Sequence, residues 1–232
     1  MRDLREITHA SLADVILDTA QNSIEAGATR IAVDLVEDGE TISVVITDNG
    51  KGMDAATLER AFDPDCTDPG KHPARKVGLG LPILKRLCEA CDGGCSLEST
   101  LGVGTTLKYR FAAKSPLLPP LGDLADALLV LFAHPGDFEL VFTHRRGDDF
   151  YSVSRRELLA TLGELESAAS LALARLFLSS LISLQTQPSS DTPSASAAGA
   201  EDRRPGPAGA RSHEGNSRRR AQARRSACPK PL

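Results

Sequence analysis

The sequence predicts an α+β layer sandwich, a mixed sheet with helices on one face, followed by a small α/β unit and a disordered basic tail. Three observations predict it. A stretch with helical periodicity opens the chain, two stretches with period-two alternation come directly after it, and the two periodicities keep exchanging until the composition collapses to Ser, Pro, Ala, Gly and Arg from Gln185 onward.

The first helix runs from about His9 to Ala26, where Leu12, Ile16, Ala20 and Ile24 recur on one stripe with Val15 beside them. Gly27 stops it. Ile31, Val33 and Leu35 then mark one strand and Ile42, Val44 and Ile46 the next, with Asp38-Gly39 in the turn between. The second strand runs into Asp48-Asn49-Gly50-Lys51-Gly52-Met53. A short helix comes next at about Asp54 to Ala61, then a turn-rich stretch from Phe62 to Lys76 with Pro64, Pro69, Gly70 and Pro73. Gly78-Leu79-Gly80 opens a helix over about Leu81 to Ala90, and Gly93-Gly94 ends it. Strands are expected at Cys95–Ser99 and Thr105–Phe111, the latter alternating Leu107, Tyr109 and Phe111 with Lys108 and Arg110. This makes residues 1–113 a first domain, and 112–120 reads as a linker. A small unit over 121–184 is expected to hold a helix at Gly122–Ala133, strands at Phe138–Thr143 and Asp149–Val153, and two more helices. Ser154 with Glu157 is a capping box for the first of these, and the second covers Glu164–Leu184. Residues 185–232 form the tail, whose composition cannot bury a core.

Composition narrows the function classes. Of 232 residues 41% are apolar, but aromatics are only 4% and tryptophan is absent, so the core must be aliphatic. The net charge of −4 is unevenly spread: residues 185–232 hold nine basic and four acidic residues, leaving 18 basic against 27 acidic before them. An acidic body argues against nucleic acid as the partner of the folded part. No apolar run approaches the roughly 20 residues a membrane span needs, and Met1–Glu6 is charged with no apolar run behind it. A cytoplasmic protein with no membrane partner is expected. The five cysteines, an odd number, fit a reducing compartment better than a disulfide framework.

Four pieces carry candidate chemistry. Asp18, Asn22 and Glu25 share one stripe of the opening helix. An Asn amide oxygen is a hard neutral ligand of the kind Mg²⁺ accepts beside phosphate oxygens, and a carboxylate one turn earlier can orient or deprotonate a water or hydroxyl. Alone, the stripe is equally an ordinary solvated helix face. Asp48 at a strand end can accept a hydrogen bond from an exocyclic amine, with Gly50 and Gly52 allowing the backbone close to a ring; alone, the same residues make a common turn. Gly78-Leu79-Gly80 at a helix start exposes backbone N–H groups to an anion, and Lys85 stands one turn later. It is neither a Walker loop nor a dinucleotide fingerprint, since Ile83 stands where a third glycine is needed. Gly104-Thr105-Thr106 places two hydroxyls before the last strand of the first domain, as a plain tight turn also does. Cys88, Cys91 and Cys95 can bind zinc or part of an iron–sulfur cluster. No fourth ligand is evident nearby apart from Cys66, so small residues on a packed helix are the preferred reading.

In this order and spacing the four pieces resemble the Asn box, the two glycine boxes and the closing Gly-Thr element of the gyrase, chaperone, histidine-kinase and mismatch-repair (GHKL) ATPase superfamily, over roughly residues 8–112. Gln21–Ala28 looks like the mismatch-repair version; Gly78–Arg86 with Ala61-Phe62-Asp63-Pro64 upstream looks like the histidine-kinase version. Leu118–Leu131 and the rest of the small unit further resemble stand-alone bacterial proteins of this type. The resemblance implies a Bergerat-type sandwich in which Asn22 holds Mg²⁺ and Asp48 reads adenine. It implies that Gly50, Gly52 and Met53 border the base, and that Gly78, Leu79, Gly80 and Lys85 face the phosphates. Thr105 and Thr106 would lie on the adenine side, and Phe62–Lys76 would be the ATP lid. Mg-ATP is the implied cofactor and an unidentified protein the implied partner. The chain departs from the hydrolytic branches in carrying Asp18 where Glu is usual, so Asp18 is a shorter candidate base. It also departs from sensor kinases, which present a phospho-acceptor His on a helical hairpin; His9 stands too close to Asn22 for that. Two functions are expected on this basis: an ATPase or kinase of signalling, or a nucleotide-sensing, anti-sigma-like module without useful turnover.

Overall fold

The computed structural model describes residues 11–63 and 80–184. Its elements are α1 (Leu12–Glu25), β1 (Arg30–Glu37), β2 (Thr41–Asp48), α2 (Ala55–Glu59), α3 (Gly80–Ala90), β3 (Gly94–Thr100), β4 (Gly104–Ala112), α4 (Leu124–Phe132), β5 (Glu139–Arg146), β6 (Asp149–Ser154), α5 (Arg155–Leu162) and α6 (Ala168–Leu184). Each falls on an expected stretch, with ends shifted by a few residues. The lid segment and the tail lie outside the described residues except for Phe62 and Asp63.

Among the described residues six strands form one sheet in the order β3-β4-β2-β1-β5-β6. β1 is antiparallel to β2 and parallel to β5; the remaining pairs are antiparallel. The strands of the small unit expected over 121–184 therefore join the first sheet, and the described residues fall in one compact body. The joining stretch adds to this. α1 leaves its first N–H groups without partners inside the helix, and those of Leu12 and Ala13 donate to the carbonyls of Pro120 and Leu121, each at 2.9 Å. Ser11 caps the same end through its hydroxyl.

One face of the sheet is covered. Ile31, Val33 and Leu35 of β1, Val44 and Ile46 of β2, Leu107, Tyr109 and Phe111 of β4, and Leu140 and Phe142 of β5 are buried, while Asp34, Glu98, Lys108 and Arg110 on the alternate positions are exposed. α1 and α3 pack over the first-domain strands. α4 lies against α1 and α6, with α5 over β5 and β6. Each fully buried aliphatic or aromatic side chain contributes about 1.5–3 kcal/mol, and the row through Ile16, Leu84, Leu128 and Leu140 joins both halves of the chain in one core. Cys88 and Cys91 belong to that core. Burial pushes the Cys88 thiol up to about 12. Among the described residues no three metal-binding side chains come together, and no helix is long and apolar enough to cross a membrane. The capping box at Ser154 and Glu157 is present.

The far end of the sheet holds a polar row. Glu37 Oε1 meets His144 Nε2 at 2.7 Å, and Oε2 accepts from Arg146 at 3.0 Å. The His144 bond, with Arg146, holds the Glu37 carboxyl below its usual range despite burial. A depressed folded value means a contribution present above the unfolded pKa, about 4.3, and lost as pH falls through the folded one. The stability difference between the parent and Glu37→Gln is expected to stay constant above that pH and shrink below it. Denaturant titrations at several pH values check this; a difference flat down to pH 3 would remove the ion pair from the stability of the fold.

A polar cleft between α1, the loop after β2 and the start of α3

Thr19 and Ser23 sit one turn apart on the buried side of α1 and hold it to the sheet. Thr19 Oγ1 pairs with the Tyr109 hydroxyl at 3.2 Å, and Ser23 Oγ donates to Asp48 Oδ2 at 2.7 Å. Burial drives the Tyr109 phenol well above its ordinary range, so it stays a neutral hydrogen-bonding group. Asp48, the last residue of β2, is half-buried on the helix-covered face. Its Oδ1 accepts the Gly50 N–H at 2.8 Å, so each carboxylate oxygen is fixed by one donor and keeps further accepting capacity.

The loop after Asp48 is shaped by two glycines. Gly52 has φ +62° and Gly104 φ +141°, both left-handed. A Cβ at Gly52 would lie 2.0 Å from the Thr100 carbonyl oxygen, and one at Gly104 2.0 Å from that of Asp48. The loop and the β3–β4 turn thus rest on each other's backbone. Ser99 laces them: its hydroxyl accepts the Met53 N–H at 2.9 Å, donates to the Gly104 carbonyl at 3.0 Å, and lies 2.9 Å from Thr105 Oγ1. Asn49 anchors the other side, its Oδ1 accepting from the N–H groups of Thr29 and Arg30.

Asp18 and Asn22 lie on successive turns of α1, Asn22 exposed and Asp18 half-buried. Asp18 turns toward the first residue of α3: a Cβ at Gly80 would come within 2.5 Å of its Oδ2. Asp48, Gly50, Gly52, Met53 and Thr105 gather on the helix-covered side through the bonds above. Thr106 does not join them. It pairs with Thr47, and strand alternation puts both on the opposite, open face. Lys85 is exposed on α3, with Nζ 5.6 Å from the centroid of the Phe62 ring. Gly78 and Leu79 lie outside the described residues. Ser23, Ser99 and Asn49 were not singled out from sequence. Ser23 carries a legible signal, since it sits on the apolar side of an amphipathic helix where a polar residue needs a partner. The role of Ser99 depends on a turn geometry that periodicity does not encode.

The arrangement sets an Asp48 carboxylate held by two donors beside α1, which carries the Asn22 amide and the Asp18 carboxylate, the latter next to the first residue of α3. Residues 8–115 match the protein family described as histidine kinase-, DNA gyrase B-, and HSP90-like ATPase. A putative sensor protein of Shewanella frigidimarina is 33% identical over 104 residues, 44% of this chain and 16% of its own length. The sensor protein IrlS of Burkholderia pseudomallei is 31% identical over 107 residues, 45% of this chain and 23% of its own. The matches thus span only about a sixth to a quarter of these relatives. Among solved structures, the N-terminal domain of a DNA repair protein aligns at 15% identity and a TM-score of 0.46, over 70% of this chain and 59% of that one.

Proposed function

We propose that the protein, whose residues 8–115 form an ATP-binding domain of the histidine kinase-, DNA gyrase B-, and HSP90-like ATPase family, binds Mg-ATP and, in signalling, hydrolyses it or passes its γ-phosphate to a partner protein. The observation that carries this reading is the Asp48 carboxylate, fixed by Ser23 and Gly50 on the same side as the Asp18–Asn22 stripe. Asp48 accepts the hydrogen bond of the adenine amino group, bordered by Gly50, Gly52, Met53 and Thr105. The glycine-lined start of α3 receives the phosphates, and Lys85 adds positive charge one turn further on. Asn22 supplies a hard neutral oxygen donor of the kind that fits Mg²⁺; when bound, the ion would offset phosphate charge. Asp18 orients the acceptor, a water or a partner's hydroxyl or imidazole, and takes its proton. The names of the relatives, sensor proteins, support a place in signalling.

The test is incubation of the full chain with γ-labelled ATP and Mg²⁺, alone and with lysate from its source. Label on a discrete protein means a kinase; free phosphate without labelled protein means an ATPase. Asp18→Asn is expected to leave ATP affinity within about twofold while lowering turnover about 100-fold or more. Equal phosphate release from variant and parent would exclude Asp18 as the base. One observation favours a second reading: Asp18 is a methylene shorter than the usual Glu and turns onto Gly80. A protein that binds ATP and yields neither label nor phosphate is a nucleotide-sensing module, reporting its state to a partner without turnover.

A further inference from the structure

We infer that Ser23 is a specificity-determining positioning residue, which holds Asp48 so that the base site accepts an amino group and rejects a carbonyl, and thereby separates adenine from guanine nucleotides. The inference rests on the reading of Asp48 as the residue that meets the base. Ser23 is buried, at 4% exposure. A serine hydroxyl has one proton to donate, and here it goes to Asp48 Oδ2. The second donor, the Gly50 N–H, belongs to a different element and holds Oδ1. The carboxylate is pinned from α1 on one side and from its own loop on the other, so it cannot turn about its terminal torsion without losing one bond. That torsion is otherwise broad.

A pinned carboxylate is an acceptor in a set direction. The 6-amino group of adenine donates to it. The 6-carbonyl of guanine sets oxygen against oxygen, and a site built for a donor rejects the group that lacks one far more strongly than an apolar pocket does. Removing the Ser23 hydroxyl frees the carboxylate to rotate, so the expected loss falls on ATP and not on GTP, and discrimination falls with it. Ser23 comes directly after Asn22 in the chain, one on the buried side of α1 and the other on the exposed side. A single turn of helix thus sets both the base contact and the proposed metal contact.

The test measures the affinities of ATP and GTP, each with Mg²⁺, for the full chain, Ser23→Ala and Ser23→Thr by calorimetry, with melting curves alongside. Ser23→Ala is expected to weaken ATP about tenfold and leave GTP unchanged, so the ATP/GTP ratio falls about tenfold. Ser23→Thr, which keeps the hydroxyl, is expected to hold the parent's ratio. An equal loss for both nucleotides in Ser23→Ala would reduce Ser23 to a packing role, and an unchanged ratio would do the same; either overturns the inference while leaving ATP binding intact. A parent that binds neither nucleotide overturns the nucleotide reading itself, and this inference with it.

Discussion

Asp48→Ala is expected to abolish ATP binding, with an affinity loss of about 100-fold or more. The substitution removes the carboxylate proposed to meet the base and strands two donors, the buried Ser23 hydroxyl and the Gly50 N–H. An unsatisfied buried donor costs about 1–3 kcal/mol, so the alanine variant also melts earlier, and lost affinity alone does not separate recognition from folding. Asp48→Asn makes the separation. Its amide oxygen still accepts from Gly50 and its amide nitrogen can donate to Ser23, so the loop keeps its shape, but the group now opposes the adenine amine with a donor. Both variants are expected to lose ATP in calorimetry while the asparagine variant melts close to the parent. Unchanged ATP affinity in either one would remove Asp48 from the site.

Gly104→Ala is expected to be strongly destabilising, costing about 3 kcal/mol or more. Two penalties act at once. The backbone sits at φ +141°, where a side chain is strained, and the new Cβ would lie 2.0 Å from the Asp48 carbonyl oxygen and 2.9 Å from Asn49 Cα. Those neighbours are backbone, so relief requires moving the end of β2 or the β3–β4 turn, and with it the carboxylate of Asp48. The denaturation midpoint is expected to drop and any remaining folded protein to bind ATP poorly. A midpoint equal to the parent's would mean that the turn does not rest on the Asp48 backbone.

Local pattern carried most of the fold. The Leu12-Ile16-Ala20 stripe and the alternations around Val33, Val44 and Tyr109 become α1, β1, β2 and β4, because each buries one side against the same layer. Period and composition do not encode which strand lies beside which. β5 reads as part of a separate unit, yet it pairs with β1 because the covered face of Leu140 and Phe142 continues that of Ile31 and Val33. Of the residues proposed for the site, Asp18 comes beside Gly80 and Asp48 bonds to Ser23, the neighbour of Asn22 in the chain. The alternation that buries Leu107 and Tyr109 carries Thr105 to the covered face and Thr106 to the open one. Ser99 was not legible, since its three partners meet only when the turn closes over the loop.

The parallel pairing of β1 with β5 has a consequence for synthesis on the ribosome. Arg30 takes Glu139 as its partner, and the roughly 110 residues between them need about 5–20 s to translate. Through that interval β1 has β2 on one flank and nothing on the other, an open strand edge of the kind that recruits other chains. The helix that carries Asp18 and Asn22 waits equally long for Pro120 and Leu121, whose carbonyls close its first turn. A nascent chain halted near residue 115 holds every motif proposed for nucleotide binding and lacks the strand that flanks β1. Such fragments are expected to aggregate or recruit chaperones where the longer chain folds cleanly.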